Sequence, residues 1–174
     1  MVIINVCGAN GVGKTTTANI ISYELGLLGN TTKVLHLADK VKELASQILG
    51  ESIELYYDRY TKDEIIPKLG FSRRQLLCNI TDSMIQYVSR DYWWEQIDYY
   101  FTYDYVIIPD CRYEAWLDFL VKKQHTFINM LVVNCDSDLS TFKYLNKYTL
   151  IDNDGSKEQL HCNVKEALRS CLVV

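Results

Sequence analysis

The sequence predicts an α/β chain whose strands form a mainly parallel sheet, covered by helices on both faces. Two observations carry this. Short apolar, β-rich runs alternate with segments of helical period from one end of the chain to the other. The runs themselves are too apolar for strands with one face in water, which is the mark of a sheet buried on both sides.

Val2 to Val6 reads as the first buried strand, ending at Cys7-Gly8. Thr15 to Leu28 follows as a helix with Ala18, Ile20, Ile21, Leu25 and Leu28 as its apolar positions, stopped near Gly29-Asn30. Lys33 to Leu37 is a second strand. Asp39 to Leu49 is an amphipathic helix with Val41, Leu44, Ala45, Ile48 and Leu49 on one face, closed by Gly50. Residues 51–70 are acidic, tyrosine-bearing and broken by Pro67 and Gly70, and no regular element is assigned there. Ser72 to Val88 has the period of a long helix that buries Leu76, Leu77, Ile80, Met84 and Ile85. Asp91 to Phe101 reads as an aromatic helix, with Trp94 expected in the core. Tyr105 to Ile108 is a strand, Glu114 to Lys123 a helix, and Phe127 to Val133 a strand. Asp136 to Lys147 is polar and partly helical. Tyr148 to Ile151 is a last strand, Asn153-Asp154-Gly155 turns, and Ser156 caps a helix running toward Cys171.

Length and composition bound the function. A chain of 174 residues with 48% hydrophobic and 23% charged residues suits a single globular domain and excludes a disordered or fibrous protein. A net charge of −4 argues against a general nucleic-acid coat. The six cysteines, at 7, 78, 111, 135, 162 and 171, include no C-x-x-C pair, so their spacing supports neither zinc nor a disulfide framework. No secretory leader pattern and no membrane-length apolar run is present, so a soluble protein of a reducing, cytoplasmic compartment is expected.

Gly8-Ala9-Asn10-Gly11-Val12-Gly13-Lys14-Thr15 is a complete G-x-x-x-x-G-K-[ST] phosphate loop, with a strand before it and a helix starting inside it. The glycines let backbone N–H groups turn toward a phosphate, and the helix N-terminus adds its positive end. Lys14 is placed for the β- and γ-phosphates and the Thr15 hydroxyl for magnesium. The motif predicts binding of a nucleoside triphosphate. The chain lacks the Asn-Lys-x-Asp guanine signature, so a small-molecule kinase is the expected class.

In a parallel sheet ligands gather at the carboxyl ends of strands. Asp39-Lys40, Asp110-Cys111-Arg112 and Asn153-Asp154-Gly155 all follow strands. Asp110 is a candidate magnesium partner of Thr15, and the Arg112 fork suits a phosphate. Arg73-Arg74 opens a helix, where the helix dipole disfavours cations; an anionic ligand or the acids Asp63-Glu64 would each explain the pair. Arg90-Asp91-Tyr92-Trp93-Trp94 combines a cation with rings that either stack a base or pack in the core. His36, His125 and His161 have no placed partner.

These ordered pieces resemble the phage deoxynucleoside monophosphate kinases, a branch of the P-loop nucleoside monophosphate kinases. The resemblance runs through Gly8 to Thr16, Leu37-Ala38 into Lys42, Ser72-Arg73-Arg74, Arg90 to Trp93, Tyr103-Asp104-Tyr105 into Pro109 to Arg112, and Ile151 to Ser156. It implies a P-loop NTPase three-layer fold with a five-stranded parallel sheet. It also implies an acceptor-binding region at about 39–95 and a short lid at about 135–149. The implied activity is transfer of the γ-phosphate of ATP, with Mg2+, to a deoxynucleoside monophosphate.

Lys14, Asp110 and Arg112 would then be catalytic. Gly8, Asn10, Gly11, Val12, Gly13, Lys14, Thr15, Thr16, Asn153 and Gly155 would hold ATP, with Thr15 and Asp110 at the metal. Asp39, Lys40, Arg73 and Arg74 would meet the acceptor, together with Arg90, Trp93 and Arg112. The partners implied are nucleotides, with no nucleic-acid polymer and no membrane, in a monomer or homodimer of the host cytoplasm if the protein is viral. Two departures stand out. Thr15 occupies a position where the family often has Asp, and residues 135–149 hold no arginine, leaving Lys143 and Lys147 as the lid cations. A kinase for another phosphorylated acceptor, of the dephospho-coenzyme A or phosphomevalonate type, and an ATP-binding interaction protein with decayed catalysis are the alternatives.

Overall fold

β1 (Val2–Cys7) forms the centre of a five-stranded sheet in this computed structural model, which describes residues 1–110, 115–137 and 147–172. β5 (Tyr105–Ile108) and β6 (Thr126–Val133) flank it, with β2 (Thr32–Val34) and β7 (Thr149–Asp152) outside them, in the order β2-β5-β1-β6-β7. Every pairing in this sheet is parallel. Ile4 lies level with Ile107 on one side and Ile128 on the other, which fixes which side chains share a face.

The sequence dictates where the helices lie. α1 (Lys14–Leu27) carries the chain from β1 over β5 to β2, whereas α6 (Ala115–Lys122) carries it from β5 over β1 to β6. These crossovers run in opposite directions, so right-handed connections place them on opposite faces. Ile4, Val6, Ile107, Met130, Val132 and Ile151 pack against Ala18, Ile21 and Leu25 of α1 and against Leu160 and Val164 of α7 (Lys157–Cys171). The alternate strand residues Ile3, Val106, Ile108 and Leu131 are also fully buried, so both faces are covered. This is the three-layer α/β arrangement that the residue pattern predicts.

The chain forms two compact units. The first comprises Met1–Leu35 and Ile97–Val174, and the second His36–Gln96. The second contains α2 (Leu37–Leu49), a 3-10 turn at Ile53–Tyr56, α3 (Arg59–Asp63), and a hairpin of β3 (Ile65–Ile66) with β4 (Phe71–Ser72). It is completed by α4 (Arg73–Tyr87) and α5 (Tyr92–Glu95). Its core is Ala45, Tyr56, Ile66 and Leu76, ringed by Leu49, Leu55, Phe71 and Ile80. Ser72 caps α4 through a capping box: its hydroxyl accepts from the Gln75 N–H at 3.2 Å, and the Gln75 side chain accepts from the Ser72 N–H at 2.9 Å.

Several local expectations change. Leu28, Ile48 and Ile85 are exposed, because their helices bury narrower stripes than the apolar pattern suggests. The aromatic segment is the single turn α5 followed by a 3-10 turn at Gln96–Tyr100, not one long helix. Trp93 is the buried indole of that segment, with its N–H donating to the Thr81 carbonyl at 3.2 Å, while Trp94 is half-buried. The second strand stops at Val34, since α2 already starts at Leu37. His161 has a partner after all. Its Nε2 lies 2.5 Å from Glu24 on α1, whose other oxygen is 3.4 Å from Lys165. Hydrogen bonding from His161, aided by Lys165, holds the Glu24 carboxyl below its ordinary pKa. No described helix is long and apolar enough to cross a membrane.

Candidate functional site

The phosphate loop leaves the carboxyl end of β1 and enters α1, at the centre of the sheet. Two of its glycines are demanded by geometry. Gly8 has φ 141°, and a Cβ there would sit 2.5 Å from the Val132 carbonyl oxygen and 2.8 Å from a Val12 methyl. Gly13 is the left-handed N-cap of α1 at φ 98°, and a Cβ there would meet the Asn153 side-chain nitrogen at 2.5 Å. At these two positions the loop leaves no room for a side chain. Gly11, with φ 80°, has open space where its Cβ would point. The Lys14 ammonium donates to the Ala9 carbonyl across the loop at 2.6 Å, so its charge lies over the cradle. Thr15 and Thr16, at the start of α1, are exposed.

Other expected residues of the first unit converge on the same edge. Asn153, just past β7, donates its side-chain N–H to the Val12 carbonyl at 2.8 Å, and its backbone N–H bonds the Val133 carbonyl at 2.8 Å. Asn153 therefore braces the loop. Asp154 supports that turn by accepting from the Cys135 N–H at 2.7 Å, which keeps its carboxyl below the ordinary pKa. Gly155 is exposed and packs near Gln159. Asp110 follows β5, two residues beyond the Asn5–Ile108 pair, on the strand beside β1 and at the loop's edge of the sheet. Asn10 is exposed and Val12 buried.

Lys147 is not grouped with them. Its carbonyl accepts from Asn129 at 3.4 Å near the amino end of β7, where Met130 pairs with Thr149. Cys7, at the loop's edge, is level with Leu131 further along β6. Lys147 lines a cavity of about 500 Å3 with Asn129, Thr149 and Cys171. Arg112 and Lys143 lie outside the described residues.

The second unit holds the remaining candidates. Asp39 and Lys40 are in the first turn of α2. Asp39 bonds Lys42 at 2.8 Å, and Lys40 bonds Glu43 at 2.9 Å. The Lys42 ammonium also lies 3.8 Å from the centre of the Tyr57 ring. Burial and the Asp39 carboxylate push the Tyr57 hydroxyl up to about 12.

Arg73 is fixed from three sides. Its Nε and Nη2 donate to the two Glu51 oxygens at 2.9 and 3.2 Å, Nη1 donates to the Thr61 carbonyl at 3.1 Å, and Glu64 lies 3.6 Å away. Arg74 forms a forked pair with Asp63 at 2.5 and 3.1 Å. Asp63 thus pairs with Arg74, whereas Arg73 is held chiefly by Glu51, with Glu64 only at the margin. Glu51, which no motif singled out, is the residue the sequence reading missed; it lies 22 positions before Arg73 in a stretch without periodicity. Arg90 is exposed, next to the first turn of α5.

A phosphate loop between the central strand and first helix of a parallel 2-5-1-6-7 sheet is the P-loop NTPase arrangement. No protein-family model matches the sequence, and no curated protein matches it significantly. Among solved structures the chain is similar to the hexameric APS kinase from Thiobacillus denitrificans, with a TM-score of 0.43 and 11% identity. That match covers 97% of this chain and 29% of the other, so the chain spans under a third of that protein's length.

Proposed function

We propose that the protein transfers the γ-phosphate of MgATP to a deoxynucleoside monophosphate. The observation that carries the reading is the closed phosphate cradle, in which Gly8 and Gly13 exclude any side chain and Lys14 lies over the loop. The backbone N–H groups and the N-terminus of α1 supply a fixed positive field for a polyphosphate. Lys14 exchanges the Ala9 carbonyl for phosphate oxygens, and so carries its charge to the group being transferred. Thr15 and Asp110 are oxygen donors on adjoining elements and suit a hard cation; when bound, magnesium neutralises charge on the phosphates. Asn153 holds the loop in shape, and the Asn153–Gly155 turn borders the adenine.

The acceptor half of the reading rests on the second unit. It folds around its own core and carries Asp39, Lys40, Arg73, Arg74 and Arg90, whereas the expected Trp93 is buried with its indole N–H on the Thr81 carbonyl. The first turn of α4 supplies a forked guanidinium donor of the kind a phosphate monoester uses. No covalent intermediate is required, because positioning and charge neutralisation provide most of such catalysis.

The test is ADP formation from MgATP with each common ribo- and deoxynucleoside monophosphate, and with dephospho-coenzyme A and phosphomevalonate, in turn. Stimulation by deoxynucleotides supports the reading. Stimulation only by dephospho-coenzyme A or phosphomevalonate would move the activity to another acceptor, and ATP binding without turnover on any acceptor would leave a nucleotide-binding protein.

A further inference from the structure

Arg73 and Arg74 are adjacent in sequence and are both expected at the acceptor phosphate, yet the structure treats them differently. The Arg73 side chain is 12% exposed and joins α4 to Glu51 and to the Thr61 carbonyl of α3. Its carboxylate partner is itself held: the Tyr56 hydroxyl, buried in the core, donates to Glu51 at 3.2 Å and lies 3.3 Å from the Ala45 carbonyl of α2. Freeing Arg73 for a ligand would strand Glu51 and Tyr56 in a partly buried network. Arg74 is 50% exposed and Asp63 55% exposed, and their contact is a two-point fork in water. An exposed pair of this kind is weakly held and exchangeable.

We infer that Arg74 is the anion-binding arginine of this unit and that Asp63 is its built-in competitor, a carboxylate occupying the fork that a phosphate monoester dianion takes over. The inference rests on the reading that this unit receives a phosphorylated acceptor. A carboxylate presents two oxygens to a guanidinium with nearly the spacing that phosphate offers, but it carries one negative charge where the dianion carries two. An incoming group must therefore out-compete Asp63. A neutral nucleoside offers nothing in exchange for Asp63 and a monoanion competes a few-fold less well than a dianion, which makes Asp63 a specificity-determining residue. Arg73 is a positioning residue that holds α3, and with it Asp63, at the correct distance from α4.

The test follows the side-chain Nε–H resonances of Arg73 and Arg74 while inorganic phosphate is added to the full-length protein at low salt. Arg73→Gln and Arg74→Gln assign the two signals, and site resolution keeps phosphate bound at the glycine loop from being mistaken for this site. The expected result is a saturable shift of Arg74 with Arg73 unmoved. Asp63→Asn should lower the phosphate midpoint roughly two- to five-fold, the size of an exposed ion pair acting as competitor. Asp63→Ser should do the same, which guards against a folding defect in either variant. An Arg73 shift without an Arg74 shift overturns the inference, as does an unchanged midpoint in both Asp63 variants. Failure of the kinase reading would look different: Arg74 would titrate as expected while no nucleoside monophosphate stimulated ADP formation.

Discussion

At the scale of single residues, Gly13 bears two constraints that one substitution separates. Its left-handed φ of 98° disfavours any side chain, and Asn153 fills the space a Cβ would take. Gly13→Ala should cost about 1–3 kcal/mol through backbone strain and the displaced side chain, and should abolish protection by ATP in a thermal-shift assay. Adding Asn153→Ala should recover part of the stability but not the binding, because the clash goes and the φ remains. Lys14 has a different role, with its ammonium on a loop carbonyl and not in the core. Lys14→Ala should therefore lower turnover by about 10²- to 10³-fold, with the melting temperature nearly unchanged. Glu24 sets a pH dependence. Its carboxyl is held below the ordinary value of 4.5 chiefly by His161, so the stabilisation is complete above that value and is lost as pH falls through the lowered one. Melting curves of wild type and Glu24→Gln between pH 7 and pH 3 should differ at neutral pH and converge in acid.

At the scale of elements, legibility in the sequence follows how local the stabilising interactions are. β5 is read correctly to the residue, because four apolar residues followed by Pro109 leave little other choice. α7 is equally plain, since Ser156 and the apolar spacing after it are local signals. Residues 51–70 are not legible: the 3-10 turn, α3 and the two-residue β3 have no period of their own. They are held by Tyr56 in the core and by Glu51–Arg73, a pair 22 positions apart. The candidate site shows the same division. The glycine loop is visible as a string, whereas Asn153 bracing Val12 spans 141 positions. Two changes test the elements. Ser72→Ala removes the cap of α4 and should cost about 1 kcal/mol. Glu51→Gln weakens the tie between α4 and the turn after α2, leaves Arg73 partly unpaired, and should cost about 2 kcal/mol. Urea unfolding measures both, and Glu51→Gln should prove the larger loss.

At the scale of the whole molecule, the sheet order places the glycine loop at the carboxyl edge of β1, with Asp110 and Asn153 following strands that end at the same edge. The second unit adds a compact scaffold whose α4 begins with two arginines in distinct surroundings. Together they make phosphoryl transfer between nucleotides the reading that uses most of the features. Composition alone would not have led there, since a net charge of −4 with 48% hydrophobic residues suits many enzymes. The decisive measurement is ADP release from MgATP in the presence of each deoxynucleoside monophosphate, for wild type and Lys14→Ala side by side. The account predicts stimulation by at least one deoxynucleotide in the wild type and its loss in Lys14→Ala. Full stimulation in Lys14→Ala, or none by any monophosphate in a wild type that binds ATP, would contradict it.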